Sequence, residues 1–171
     1  MGRQDELKRK IRYVLVFFIV CLVMSGLTAF PLRAELDWLG SLLGIDTGVD
    51  PSTYSGLKGW IATVGAGLRD AYARYPFLAY GTDWLAFAHL VIAVAFIGPL
   101  REPVRNVWVV TFGMVASAGV IPLALIAGPL RGIPFYWRLI DCSFGVFGFI
   151  TLWLARRYIT ELAATEQLGD V

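Results

Sequence analysis

GTDWLAFAHLVIAVAFIGP, residues 81–99, decides how the rest of the chain is read. It carries one acid, Asp83, near its start and the chain's only histidine, His89, in its interior. A helix rising ~1.5 Å per residue needs about 17 to 25 mostly apolar residues to cross a hydrocarbon core. Residues 81–99 meet that length, so the stretch reads as a membrane span. Steps of three, four and seven residues return to nearly the same direction on a helix, which puts Thr82, Leu85, Ala86, Ala93 and Phe96 on the face of His89. Small residues on such a face let backbones approach closely in lipid. His89 is therefore expected to point into a helix bundle rather than at acyl chains.

Composition extends this reading to the whole chain. Of 171 residues 57% are hydrophobic and 16% charged, which is more apolar and less charged than a soluble domain. The fold class expected is an all-α integral membrane protein: a bundle of four transmembrane helices with an external amphipathic-helical segment between spans 1 and 2. A net charge of +2, with basic residues gathered at the ends of apolar segments, gives no nucleic-acid partner. Cys21 and Cys142 sit inside apolar segments without metal-binding spacing and read as small core residues.

Outward from residues 81–99, charge sets the topology. Residues 1–12 hold Arg3, Lys8, Arg9, Lys10 and Arg12, a basic cytoplasmic flank for a first span at 13–30. A cleaved signal peptide is the competing reading, but the apolar run exceeds the usual ~7 to 15 residue core. Residues 31–80 then lie outside. Leu32, Leu36, Leu39 and Leu43 form one amphipathic stripe, with Trp38 beside it. After a turn at 46–51, Ser52 or Thr53 is placed to cap a second helix. Its apolar stripe is Leu57, Ile61, Val64, Leu68, Tyr72 and Tyr75, opposite a charged face of Lys58, Arg69, Asp70 and Arg74. Fifty residues of this kind are too few for an independent core. They read as a lid or a spacer on the membrane surface.

Residues 100–106 form a cytoplasmic loop with Arg101, Arg105 and the helix-stopping Pro103. The third span, 107–127, has Gly113, Ala116 and Ser117 for close packing and a Pro122 that frees a backbone carbonyl. An external turn at 128–134 leads to the fourth span, 135–155. Arg156 and Arg157 open a polar cytoplasmic tail, 156–171, that continues as a short helix before fraying. Both termini are thus placed in the cytoplasm.

Asp141 is the second ionisable group inside a span. It shares a face with Trp137, Arg138, Gly145, Gly148 and Leu152, and the glycines mark that face for another helix. Under this topology His89 and Asp141 come to a similar depth below the outer surface, with Asp83 and Arg138 nearer the mouth. These four, Asp83, His89, Arg138 and Asp141, are the candidate ligand-binding residues. An unpaired charge at that depth costs at least ~2.5 to 3.5 kcal/mol, so Asp141 needs a proton or a partner, either Arg138 or His89. Three roles remain open: a hydrogen-bonded clamp that fixes helix register, a pocket for a small amphiphile or partner helix, and acid/base catalysis by His89 and Asp141 on a lipid-like substrate. The binding or accessory role leads. No metal site is expected, because the layer offers too few nitrogen and sulfur ligands. One histidine excludes a bis-histidine haem within one chain, and the cofactor is left unknown. No phosphate-cradling glycine loop or nucleophile elbow occurs. The partners expected are membrane lipid and either an amphiphile or a membrane protein, with a homo-oligomer left open.

Tyr80-Gly81-Thr82-Asp83-Trp84-Leu85-Ala86-Phe87-Ala88-His89 and Arg138-Leu139-Ile140-Asp141-Cys142-Ser143-Phe144-Gly145 resemble segments of an uncharacterised family of small four-span bacterial inner-membrane proteins. The resemblance extends over most of the chain and implies a bacterial inner membrane. It brings no activity, cofactor or site residue with it.

Overall fold

A computed structural model describes residues 2–169, with side chains as far as 167, and their regular structure is helical without a strand. In chain order the helices are α1 (Arg3–Ala29), α2 (Leu32–Leu42), α3 (Gly56–Arg74), α4 (Ala79–Ala95), α5 (Ile97–Arg101), α6 (Val107–Leu130) and α7 (Phe135–Gly169). Short 3-10 turns occupy Pro51–Thr53 and Pro76–Leu78. Four helical stretches are long and apolar enough to cross a membrane: Arg3–Ala29, Pro76–Arg101, Val107–Leu130 and Phe135–Gln167. Only 17% to 22% of the most apolar window of each is buried within the protein, so most of their apolar surface faces outward.

The chain divides into two units, residues 1–22 with 92–171, and residues 23–91. The first has a continuous apolar core built from Leu7, Ile11 and Leu15 of α1, Phe96, Val110 and Met114, and Leu152, Ala155, Ile159 and Leu162 of α7. This adds to the reading of both termini. The basic flank at 3–12 and the helical tail at 156–167 each carry a buried stripe as well as their charges. On α1 the stripe recurs every four residues. On α7 it recurs at intervals of three, four and three, the spacing of a helix seam. Ion pairs flank it, Arg3 Nη2 to Glu161 Oε1 at 2.6 Å and Lys8 Nζ to Glu166 Oε1 at 3.5 Å. Met1 and residues 170–171, where the tail was expected to fray, lie outside the described residues.

Packing of α6 on α7 follows the small residues. A Cβ added at Gly113 would lie 2.6 Å from both Phe96 Cζ and Leu152 Cδ1. At Gly145 it would lie 2.6 Å from the Ser117 carbonyl oxygen, and at Gly148 2.7 Å from Ser117 Oγ. The helices therefore meet at a separation that only glycine permits at these points. Pro122 lies within α6 and cannot donate to the Ala118 carbonyl, yet the helix runs on to Leu130. It ends where Ile133 N–H donates to Gly128 O and Gly132 N–H to Pro129 O, with Gly132 at φ +69°. That left-handed residue belongs to glycine, and the paired bonds close the helix end. The span read at 81–99 is interrupted, since α4 stops at Ala95 and α5 restarts at Ile97. Pro99 has no N–H for the Ala95 carbonyl. Phe96, fully buried at the break, sets its ring 4.8 Å from that of Phe18.

In the second unit, α2 and α3 pack on each other through Gly40, Ile61, Ala62 and Gly65, all buried. Arg69 departs from its expected place on the charged outer face. Its Nη1 donates to Asp37 Oδ1 of α2 at 2.7 Å, and its side chain is only 25% exposed. Neither Ser52 nor Thr53 caps α3. Asp50 instead accepts from Ser52 N–H at 2.8 Å and caps the 3-10 turn, a bond that holds its carboxyl below the usual carboxylate range. The N-cap of α3 is Ser55.

Two glycines of one helix should respond in opposite senses. Gly113→Ala must displace Phe96 or Leu152 and is expected to cost about 1–3 kcal/mol. Gly119, also in α6, has open space where a Cβ would stand, and Gly119→Ala should gain about 0.5–1 kcal/mol from helix propensity. Thermal unfolding in detergent compares them, and equal effects would contradict the packing described.

Candidate functional site

Asp83 and His89 belong to the second unit, Arg138 and Asp141 to the first, and each pair is described in its own surroundings.

His89 lies on the buried side of α4, half-buried itself, with Ala86 fully buried one turn away. Its expected small-residue contact is with α1. A Cβ at Gly26 would lie 2.9 Å from the Ala86 carbonyl oxygen and 3.2 Å from His89 Cβ. Nδ1 of His89 stands 2.8 Å from the Leu85 carbonyl oxygen. A carbonyl can only accept, so Nδ1 carries a hydrogen. Thr82, on the same face, donates its hydroxyl hydrogen to Ala79 O at 2.7 Å. Tyr72 of α3 must therefore be the donor in its 3.1 Å bond to Thr82 Oγ1. This bond ties the last turn of α3 to the first turn of α4. Asp83 is half-buried, and its carboxylate makes no hydrogen bond or ion pair among the described residues.

Arg138 is placed by the α6–α7 turn. Its backbone N–H donates to Pro134 O at 3.1 Å in the first turn of α7. Its aliphatic stem lies on Gly128, where any Cβ would collide with Cδ and Cγ. Its Cζ is 5.1 Å from the centroid of the Phe135 ring, a cation-π contact. The stem thus lies beside the last turn of α6. Nε is nevertheless buried without a hydrogen-bond partner among the described residues. Of the alternatives open for Asp141, an ion pair with Arg138 is not formed among the described residues, although the two lie three residues apart on α7. Asp141 is half-buried, one turn before Gly145 on the face that meets α6.

By helical rise, His89 lies about 15 Å from the first residue of α4 and Asp141 about 9 Å from the first residue of α7. No cluster of three or more His, Cys, Asp or Glu able to hold a metal occurs among the described residues. The residues missed in the sequence are Gly128 and Phe135, which seat Arg138. Their signal is register: in an antiparallel hairpin turning near 133, positions equidistant from the turn meet, as 128 and 138 do.

Chemically, this arrangement leaves a buried guanidinium N–H without an acceptor among the described residues, with the Asp141 carboxyl one turn further along α7. Comparison with protein-family models, with curated proteins and with solved structures finds no match for the chain.

The α1–α4 contact should be sensitive to a single methyl group. Gly26→Ala brings a side chain against backbone at Ala86, which cannot rotate away, and should lower stability by about 1–3 kcal/mol. Gly81→Ala, where a Cβ meets nothing within 4 Å, should not. Guanidinium-free thermal unfolding followed by circular dichroism measures both.

Proposed function

We propose that the chain is a multi-pass protein of the bacterial inner membrane, with both termini cytoplasmic, acting as a binding or accessory subunit. Its ligand is a small amphiphile held at the outer end of the α6–α7 hairpin. Arg138 takes the anionic part of the head, and Asp141 takes a hydroxyl or amine one turn deeper. The observation that supports this is the unpartnered, buried Nε of Arg138. A desolvated guanidinium edge gains strongly from a charge-assisted, two-point bond to a carboxylate or phosphate. Apolar surface on both helices suits the rest of an amphiphile: Leu130 is 81% exposed, and Phe135 and Leu139 are exposed beside Arg138.

The membrane setting is supported by four apolar stretches with mostly outward-facing surfaces and by the basic residues at the proposed inner ends. In this reading α2 rests on the outer surface through Trp38, Leu42 and Leu43, all exposed.

The test is organic extraction of the detergent-purified protein, with mass spectrometry of what is released. The wild type should release an amphiphile in near-stoichiometric amount. Arg138→Gln should reduce it about tenfold or more, the loss of one charge-assisted contact of ~1.5–3 kcal/mol, and Asp141→Asn should reduce it less. An empty wild type, or a compound retained equally by Arg138→Gln, would overturn the proposal.

A further inference from the structure

A cleft lies where α5 ends and the chain turns toward α6. Its volume is about 310 Å³, at the lower end of the ~300–1,000 Å³ typical of small-molecule sites. Three cations from two parts of the chain converge on it: Lys8 of α1, and Arg101 at the end of α5 with Arg105 in the following loop. Glu102 and Glu166 are the carboxylates on its wall.

The charge pattern selects an anion. Glu166 is engaged by Lys8 at 3.5 Å, and Glu102 by Arg105 at 3.4 Å. Arg101 has no carboxylate within 4.0 Å among the described residues, and one positive charge is left over in the cleft. Both ion pairs are long and solvent-exposed, so they hold their cations weakly and leave them free to turn to a better acceptor. A guanidinium fork fits a phosphate through two parallel N–H bonds. Below the charged rim, Val104 and Leu162 give the cleft an apolar floor.

We propose that this cleft binds a phosphate group, carried either on the head of an anionic phospholipid or free in solution, with Arg101 as its principal contact and Lys8 and Arg105 as supporting donors. The cleft lies where apolar helix gives way to charged loop, the level of lipid headgroups in the membrane reading above. Basic recesses between spans on the cytoplasmic side are suited to such heads.

Two arms test the proposal and separate the sources. In the first, the full chain is reconstituted in mixed phosphatidylcholine and phosphatidylglycerol, released into neutral detergent, and examined by native mass spectrometry. Phosphatidylglycerol should remain bound to the wild type, with occupancy about fivefold lower in Arg101→Gln and unchanged in Arg156→Gln, an exposed cation outside the cleft. In the second, inorganic phosphate is compared with chloride at equal ionic strength in thermal unfolding. A rise for the wild type that Arg101→Gln lacks, without retained lipid, would support the same site with free phosphate as the source. Arg101 is exposed, so its replacement leaves the core untouched. If Arg101→Gln matches the wild type in both arms, or Arg156→Gln loses as much lipid as Arg101→Gln, the proposal is overturned.

Discussion

The close approach of α6 to α7 constrains most of what surrounds it. Where Gly113 meets Phe96 and Leu152, and where Gly145 and Gly148 meet Ser117, the interhelical space is already filled by backbone or by a neighbouring side chain. In lipid the hydrophobic effect gives helices little reason to associate, since acyl chains are as apolar as leucine, and close packing must supply the attraction. The glycines permit that packing along the length of the hairpin. They also fix its register, because a shift of one residue would set a side chain against Ser117 in place of hydrogen. With register fixed, Arg138 falls on Gly128, and its guanidinium is held against the end of α6 instead of reaching freely to solvent.

Charge acts at the ends of these helices and apolar matching along them. The residues that extend α1 and α7 beyond their apolar spans are bound to each other by Leu7, Ile11, Ile159 and Leu162, which stay buried beside exposed ion pairs. Exposed pairs contribute little each, so the buried stripe holds this segment together and the charges keep it soluble. The same distribution leaves cations in excess around the α5–α6 loop, while Arg138 lies against Gly128 and Phe135 with Nε unpartnered among the described residues. Each of the two proposed sites takes its ligand class from that local imbalance.

Much of this was legible in the sequence. The four apolar stretches, the glycine face of the fourth span and the small-residue face of His89 all follow from helical periodicity, and the structure packs Gly145 and Gly148 of α7 against Ser117 of α6 and sets Gly26 beside His89. The paired terminal segments were not read, because charge dominates residues 3–12 and 156–167 and a stripe of one apolar residue per turn is easily masked by it. Arg69 was misplaced for a related reason. Periodicity assigns a charged residue to the outer face, but a long side chain can turn inward when a partner such as Asp37 lies across the interface. The break at Phe96 depends on Pro99, three residues later, whose effect falls on the carbonyl of Ala95 rather than at the proline itself.

The central claim is that four spans carry both termini to one side of a membrane, and topology measures it directly. With Cys21 and Cys142 replaced by serine, single cysteines at Thr47, Arg131, Arg105 and Gln167 can be probed in intact cells with a membrane-impermeant maleimide. The account predicts labelling at 47 and 131 before lysis, and at 105 and 167 only after it. Labelling of 105 or 167 in intact cells, with 47 and 131 protected, would contradict the orientation, and any division of 105 from 167 would contradict the four spans themselves.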